Sequence, residues 1–254
     1  GFGEDLPACL TVERDAVPAA DVLPAVDSCD AMPGVSMMEE ISNELCTGSY
    51  TLTRTWTAED CVGNTQVHSQ VITVQDTTSP TRDSEAMDMT VECDGAGNAA
   101  DLDAWLASNG GATATDACSG VTWSNDFDAL SDDCGATGAA TVMFTATDDC
   151  GNATSTTATF TIEDTTAPAV MEAMDATVEC DGAGNAADLD AWIASNGGAT
   201  ASDACGGVTW SNDFDALSDD CGATGAATVM FTATDDCGNA TSTTATFTIE
   251  DTTA

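Results

Sequence analysis

The sequence contains no lysine, and only three arginines stand against 44 aspartates and glutamates, which gives a formal net charge of −41 at pH 7. Such a chain repels phosphates and anionic lipid head groups, because it offers no basic patch to offset their charge. We therefore expect neither nucleic-acid nor membrane-surface binding. Because no stretch of the sequence is apolar enough to span a bilayer, we also expect no membrane insertion. The arginines, Arg14, Arg54 and Arg82, all lie in the first third, so the later carboxylates depend on cations from the medium.

Histidine is almost as scarce, since His68 is the only one in the chain. A Ser/His/Asp triad therefore cannot recur with any internal repeat, and neither GxSxG nor HExxH occurs. Paired carboxylates could in principle hydrolyse glycosides, but carboxylates that are copied along the chain fit joints or surfaces better. We expect no enzymatic activity and no organic cofactor.

Two absences concern the cysteines: the twelve cysteines form no CxxC motif and have no histidine cluster nearby. This pattern argues against zinc, thiol-redox and haem chemistry and favours structural disulfides in an oxidising, extracellular environment. Disorder is also disfavoured, because 43% of the residues are hydrophobic and many alternate with polar ones. The chain lacks an initiator Met and stops inside a repeat, so we expect a mature segment of a longer protein.

The chain is a tandem array. Residues 85–167 and 172–254 differ at only four positions, and four cysteines return after 87 residues. The first 80 residues form a diverged unit that also has four cysteines. We predict three modules, at residues 1–80, 81–167 and 168–254.

Within each module the dominant pattern has a period of two. Val142, Phe144 and Ala146 alternate with threonines, as do Ala158 and Phe160, which is typical of half-buried antiparallel strands. One segment, NAADLDAWLASNGG, has apolar residues at helical spacing and a Gly-Gly stop. The predicted fold class is all-β: tandem immunoglobulin-like β-sandwich modules, disulfide-stapled, with one short helix in each of modules 2 and 3.

Strand direction predicts which cysteines share an end of a module. Counting strands up and down places Cys93 with Cys134 and Cys118 with Cys150, whereas Cys134 and Cys150 bracket one strand and are too far apart to bond. The predicted disulfides are Cys93–Cys134, Cys118–Cys150, Cys180–Cys221, Cys205–Cys237 and, in the first module, Cys29–Cys61. Arg14 takes the place of Cys93 in the first module, so the pairing of Cys9 and Cys46 stays open.

Three motifs resemble a known family. The TWTA or FTAT strand, the D-C-G-N turn and the D-T-T-[SA]-P linker are similar to hyalin-repeat (HYR-like) and related immunoglobulin-like modules of very large cell-surface proteins in Bacteroidetes and other marine bacteria. The resemblance covers nearly the whole chain. It implies a secreted stalk or adhesin at the cell surface.

Acidic residues at the module ends are the main binding candidates. If the modules follow one another lengthwise, carboxylates from neighbouring modules converge at each joint, and several hard oxygen ligands suit Ca²⁺. The predicted ligands are Asp76, Asp116, Asp148, Asp149, Glu163, Asp164, Asp203, Asp235 and Asp236. The alternative is a solvated acidic surface. A second candidate is the DGAGNAADLD loop with Asp94, Asn98, Asp101 and Asp103, for which helix capping is the simpler interpretation.

Two kinds of glycosylation motif also occur. Asn152 and Asn239 lie in NAT sequons, and Thr77 and Thr165 lie in DTT segments that resemble an O-glycosylation pattern of Bacteroidetes. Turns account for the same residues without any glycan.

The leading hypothesis is a structural stalk of an extracellular repeat adhesin, stiffened by disulfides and by Ca²⁺ at the joints. Its partners would be neighbouring modules of the same chain. One alternative is a self-assembling filament of identical chains. Another is a carbohydrate- or surface-binding module, which an exposed aromatic platform would favour.

Overall fold

The computed structural model describes residue 2, residues 7–30 and residues 32–253, and strands dominate it. The first predicted module is built on a four-stranded sheet. Its strands are β1 (Cys9–Glu13), β2 (Gly34–Cys46), β3 (Ser49–Glu59) and β4 (Thr65–Gln75). The order is β1-β4-β3-β2, with β1 parallel to β4 and the other pairs antiparallel.

The second and third modules repeat this topology. The second has strands β5 (Thr81–Ser84), β6 (Met89–Glu92), β7 (Thr113–Thr115), β8 (Val121–Asn125), β9 (Gly138–Asp148) and β10 (Ala153–Glu163). The third has β11 (Ala169–Met171), β12 (Ala176–Glu179), β13 (Thr200–Ser202), β14 (Val208–Asn212), β15 (Gly225–Asp235) and β16 (Ala240–Glu250). The large sheets have the orders β6-β10-β9-β8 and β12-β16-β15-β14, and β5-β7 and β11-β13 form two-stranded sheets.

Helices occur where the sequence predicts them. They are α1 (Ala99–Ala107) and α2 (Ala186–Ala194), each followed by a short 3-10 turn (Asn109–Gly111 and Asn196–Gly198); a third such turn spans Arg14–Ala16. Gly110 and Gly111 have φ of 63° and 84°, which is left-handed backbone that ends a helix at little cost. The prediction of one helix in each of modules 2 and 3 is confirmed.

The chain divides into two compact units. The first comprises Gly1–Met87, Ser108–Asp126 and Met143–Thr157, and the second comprises Asp88–Ala107, Phe127–Val142 and Ala158–Ala254. Strands β9 and β10 supply residues to both units. The module boundaries at residues 80/81 and 167/168 remain a prediction.

In the core of the second unit, the apolar side chains at alternating strand positions are buried. In the third repeat Val229, Phe231, Phe247 and Ile249 are at most 2% exposed, whereas Met230 and Thr248, which lie between them, are exposed and half-buried, respectively. Trp192 of α2 packs over this face, with its ring 5.3 Å from Phe231 and 5.5 Å from Phe247. The predicted all-β fold of tandem β-sandwich-like repeats is therefore confirmed, and in this repeat one face of β15 and of β16 is apolar and covered.

Arg54 is an exception to the alternation in the first unit. It lies on the buried face of β3, is 4% exposed, and donates from Nε to Glu39 at 2.9 Å. Its Nη2 donates to the carbonyl of Pro18 at 2.7 Å. The guanidinium is therefore paired and hydrogen-bonded, which is the condition for burying a charge.

In the described part of the chain, no helix has the length and apolar character that a membrane-spanning helix needs.

Replacing Phe247 with Ala should lower the free energy of unfolding by about 3–5 kcal/mol, because it removes a ring that is 1% exposed and opens a cavity against Trp192. Thr246→Ala is the matched control: it loses one hydrogen bond to Thr228 at the surface and should cost about 1 kcal/mol or less. Denaturant unfolding followed by tryptophan fluorescence measures both. Equal losses would contradict this placement of the core.

Candidate metal and disulfide junctions

Three disulfides join the ends of successive repeats. In the first unit Cys46, at the end of β2, bonds to Cys150 in the β9–β10 turn. In the second unit Cys134 bonds to Cys237, and Cys93 bonds to Cys205. We call the surroundings of Cys46–Cys150 the first junction and those of the other two bridges the second junction. Each junction lies within one compact unit.

The predicted disulfide partners are wrong. The predicted pairs Cys93–Cys134, Cys118–Cys150 and Cys205–Cys237 are replaced by bridges between repeats, and Cys180–Cys221 and Cys29–Cys61 are not formed. Counting strand directions placed Cys93 and Cys134 at the same end of a module. This grouping is correct, because both bond to cysteines of the next module, Cys205 and Cys237. The prediction failed since it treated each module as closed and left out the next module at the same end.

The open question about Cys46 is resolved by its bond to Cys150. Cys9 is a free, exposed thiol, as are Cys29, Cys61 and Cys221, while Cys118 and Cys180 are free and half-buried. Each bridge closes a loop of 103 to 112 residues. The loop-entropy model assigns about 4.7 kcal/mol to a loop of roughly 100 residues. The bridges therefore strongly restrain the unfolded chain.

Arg14 stands in the first junction where Cys93 stands in the second. Cys93 bonds to Cys205, whereas Arg14 Nη1 donates a hydrogen bond to the carbonyl of Cys118, the counterpart of Cys205. One covalent link of the second junction is thus replaced by a polar contact in the first. Cys118 is left with a free thiol for this reason.

The first junction gathers carboxylates around Asp76. One oxygen of Asp76, one of Asp116 and the Cys118 sulfur lie within 4.8 Å of one another. Asp76 is 5% exposed, and its Oδ2 is buried with no hydrogen-bond partner among the described residues. Burial, followed by the charges of Asp116, Asp148 and Glu13, raises the pKa of Asp76. An unpartnered buried carboxylate oxygen is costly unless a cation or a proton satisfies it.

The second junction repeats the arrangement with Asp164, Asp203 and Cys205, again within 4.8 Å. Burial raises the pKa of Asp164, and Asp203, Asp235 and Glu92 raise it further. No arginine or lysine follows Arg82 in the sequence, so no basic side chain from this part of the chain can neutralise the cluster.

The sulfur atoms are poor ligands for a cation in both clusters. Burial raises the pKa of the Cys118 thiol, and Asp76 and Asp116 raise it further, so the thiol stays protonated. The Cys205 sulfur is already in a disulfide. The remaining ligands are hard carboxylate oxygens, which suit Ca²⁺ rather than zinc.

Asp148 and Asp235 stabilise the turns at the junctions by accepting hydrogen bonds from the backbone. Oδ1 of Asp148 accepts the backbone N–H groups of Cys150 and Asn152, and Oδ2 accepts from Asn152 Nδ2 at 2.8 Å. Burial acts to raise the pKa of Asp148, but the hydrogen bonds from Asn152, Cys150 and Gly151 together leave the pKa lowered. Asp235 makes the same bonds with Cys237 and Asn239.

The other predicted ligands lie outside the close clusters. Asp149, Glu163 and Asp236 are exposed. Asp236 accepts the backbone N–H of Gly207 at 2.7 Å. These three residues stay predicted ligands, whereas the structure itself brings together Asp76 with Asp116 and Asp164 with Asp203.

The candidate glycosylation residues have structural partners. Asn152 Nδ2 donates to the carbonyl of Asp76 at 3.1 Å as well as to Asp148, and Asn239 Nδ2 donates likewise to the carbonyl of Asp164. Thr77 Oγ1 donates to Glu13 at 2.7 Å, and Thr165 Oγ1 donates to Glu92 at 2.9 Å. A glycan on any of these atoms would displace the bond it makes.

The second calcium candidate is a self-contained loop. Asp94 Oδ1 accepts the backbone N–H groups of Ala96 and Asn98, and these bonds lower the pKa of Asp94. Asn98 Nδ2 donates to Asp101 Oδ2 at 3.1 Å, and Asp103 is exposed on α1. Internal hydrogen bonds therefore account for Asp94, Asn98 and Asp101.

Sequence reasoning missed the role of two residue types at the junctions. Asn152 and Asn239 link the Asp148 and Asp235 turns to the preceding repeat, whereas the sequence indicated only a sequon or a local turn. The signal was the spacing, because Asp four residues before Asn also recurs as Asp60 and Asn64, with the same side-chain bond at 2.6 Å. Arg14 is the second case: the sequence shows only that it replaces a cysteine, whereas the structure shows its contact with Cys118.

Comparisons with known proteins found similar solved structures but no related sequence. No protein-family model and no curated protein matches the sequence. Similar solved structures include Drosophila N-cadherin EC1-4 (12% identity, TM-score 0.31), mouse cadherin-23 EC22-24 (12%, 0.32) and protocadherin gamma B2 EC3-6 (10%, 0.31). Each match covers 98% of this chain, and 75%, 98% and 73% of the other chain, respectively.

Arg14→Cys should create a fourth disulfide, because Arg14 contacts Cys118 where Cys93 bonds to Cys205. We expect loss of the Cys118 thiol in mass spectra of alkylated protein and a stability gain of about 2–4 kcal/mol. Arg14→Ser, which removes the guanidinium without adding a thiol, is the control. A Cys118 that remains alkylated in the Arg14→Cys variant would show that the two junctions are not equivalent.

The raised pKa of Asp76 predicts how the stability of an Asp76 variant depends on pH when a chelator is present. A folded-state pKa above the ordinary 3.8 means that the folded protein binds more protons, so this group adds stability as the pH falls towards that value. Asp76→Asn should therefore be more stable than wild type at pH 7 in EGTA, with a gap that narrows as the pH falls. Asp103→Asn, which changes an exposed carboxylate of α1, should show no such pH-dependent gap in thermal melts.

Proposed function

We propose that the chain is a structural segment of an extracellular stalk, with repeats joined covalently and with Ca²⁺ held at the junctions. The observation that carries the proposal is the recurrence of one junction design in both units. Each junction has a disulfide from the end of one repeat to the turn of the next, beside a pair of carboxylates. A disulfide in this position transmits tension from repeat to repeat without relying on the small hydrophobic cores.

Ca²⁺ fits the junctions for three reasons. The side-chain ligands available are carboxylates, and the buried Asp76 Oδ2 has no hydrogen-bond partner among the described residues. No lysine or arginine follows Arg82 in the sequence to balance Asp164 and Asp203. Ca²⁺ takes six to eight oxygen ligands, so carbonyl groups and water would complete the shell. Bound Ca²⁺ would also offset the two causes that raise the pKa of Asp76 and Asp164, which are burial and then repulsion from neighbouring carboxylates.

The setting that agrees with these features is outside the cell. Disulfides persist in oxidising compartments. The resemblance of the TWTA, D-C-G-N and D-T-T motifs to hyalin-repeat modules points to a secreted surface protein of the same kind. The carbohydrate-binding alternative is weaker, because no tryptophan in the described chain is exposed; Trp56, Trp105 and Trp192 are buried, and Trp123 and Trp210 are half-buried.

Ca²⁺ should raise the melting temperature of the oxidised protein, and EGTA should reverse the increase. Asp164→Asn should lose much of this Ca²⁺-dependent increase, whereas Asp190→Asn, an exposed carboxylate on α2, should keep it. Equal ionic strength of NaCl and an Mg²⁺ series separate a specific site from general screening of the acidic surface. An equal response of both variants to Ca²⁺ would leave only the acidic-surface interpretation.

Electron micrographs of the native material, with and without chelator, distinguish the stalk from the filament alternative. Single thin strings that become more flexible in EGTA are the expected result. Thick fibres made of many chains would favour the self-assembling filament instead.

A further inference from the structure

We propose that the end of the third repeat is a preformed docking face that forms two disulfides with a further repeat module. The face consists of Cys180, Cys221 and the two glycines that follow them, Gly182 and Gly222. This inference rests on the proposed function only in that the chain is taken as part of a longer array.

The first argument is positional. Cys180 and Cys221 lie 87 residues after Cys93 and Cys134, which form the bridges of the second junction. Both are free thiols in the third repeat, with Cys221 exposed and Cys180 half-buried. The same two positions are therefore bonded where a next repeat is present and free where none follows in the described chain.

The second argument is that the face already has its docked geometry. The Cys93 sulfur lies 3.8 Å from the carbonyl oxygen of Ala136, and the corresponding distance from Cys180 to Ala223 is 3.9 Å. The N–H of Cys134 and that of Cys221 both donate to the hydroxyl of the threonine three residues later, at 3.2 Å. A face that keeps this geometry without a partner needs little reordering on binding.

The third argument comes from the glycines, which leave room for an incoming backbone. In the second junction a Cβ on Gly95 would overlap the carbonyl of Ala204, and one on Gly135 would overlap that of Cys205. The N–H of Ala136 donates to the same Cys205 carbonyl at 2.7 Å. Gly182 and Gly222 have the same left-handed backbone, with φ of 77° and 68°, and a Cβ on either would meet nothing within 4 Å.

The occupant defined by this face is the turn end of another repeat. It must present an Asp-X-Cys turn like that of Asp203 and Cys205, and an Asp-Asp-Cys-Gly-Asn turn like that around Cys237. In the second junction these two turns supply the bonded sulfurs and the docked carbonyl. A further copy of the third repeat carries both.

The chemistry of each bridge is a thiol–disulfide exchange with a small-molecule disulfide, such as oxidised glutathione, as the oxidant. The thiolate of Cys180 attacks the small disulfide and releases one thiol. The thiolate of the incoming cysteine then displaces the second small thiol. Two cysteine thiols lose two electrons and two protons, and one small disulfide is reduced to two thiols; Cys221 reacts in the same way.

The test uses the full chain extended by one further copy of residues 168–254 and folded in a glutathione redox buffer. In the added copy, serine replaces the cysteines that correspond to Cys180 and Cys221, so that each of these two peptides occurs once. Maleimide labelling followed by mass spectrometry should show at least a tenfold loss of labelling at Cys180 and Cys221. In a control extension that also lacks the copies of Cys205 and Cys237, both cysteines should label fully. Equal labelling in the two extended chains would overturn the proposal.

Gly222→Asn tests the backbone approach separately from the thiols. Asparagine tolerates left-handed backbone, so the unextended variant should melt at the wild-type temperature. In the extended chain its side chain would occupy the place of the incoming carbonyl, and bridge formation at Cys221 should slow at least tenfold. An unchanged rate would show that the glycines do not receive the next repeat. These readouts do not depend on Ca²⁺, so they can fail while the chelator experiments succeed, and the reverse.

Discussion

Disulfides between successive repeats are the constraint on which the junctions depend. They hold acidic turns against acidic linkers in a chain whose net charge is −41, where electrostatic repulsion alone would separate them. The bond between Cys134 and Cys237 brings the Asp235 turn to Asp164, and the bond between Cys46 and Cys150 brings the Asp148 turn to Asp76. With the backbones covalently fixed, Asn152 and Asn239 can donate across the junction to the carbonyl groups of Asp76 and Asp164.

The acidic residues at the junctions fall into two groups, which differ in their hydrogen bonding and in the direction of their pKa shifts. Asp148 and Asp235 are satisfied by N–H donors and stay ionised easily, so they act as part of the turn. Asp76 and Asp164 have fewer donors and raised pKa values, so they gain most from an added positive charge. A cation at the junction would therefore act chiefly on these two residues and leave the turns unchanged.

Arg14 shows that the junction can be built in more than one way. The first junction has one disulfide and a guanidinium that contacts Cys118, whereas the second has two disulfides and no basic group. The first is thus partly neutralised by the chain itself, and the second is held by one more covalent bridge. Glutamates at the ends of the parallel strands support both arrangements, because Glu13 and Glu92 bind the Thr-Thr segments of the linkers.

The sequence by itself determined the repeats, the strands, the two helices and the grouping of cysteines by module end, because these follow from periodicity and from the direction of short local segments. It also located the acidic residues near the joints. Only the tertiary structure decided which cysteines bond, which carboxylates meet and which oxygen lacks a partner. Those outcomes depend on contacts between residues about 100 positions apart, such as Cys93 with Cys205. Local alternation and spacing contain no information about the distance between such residues.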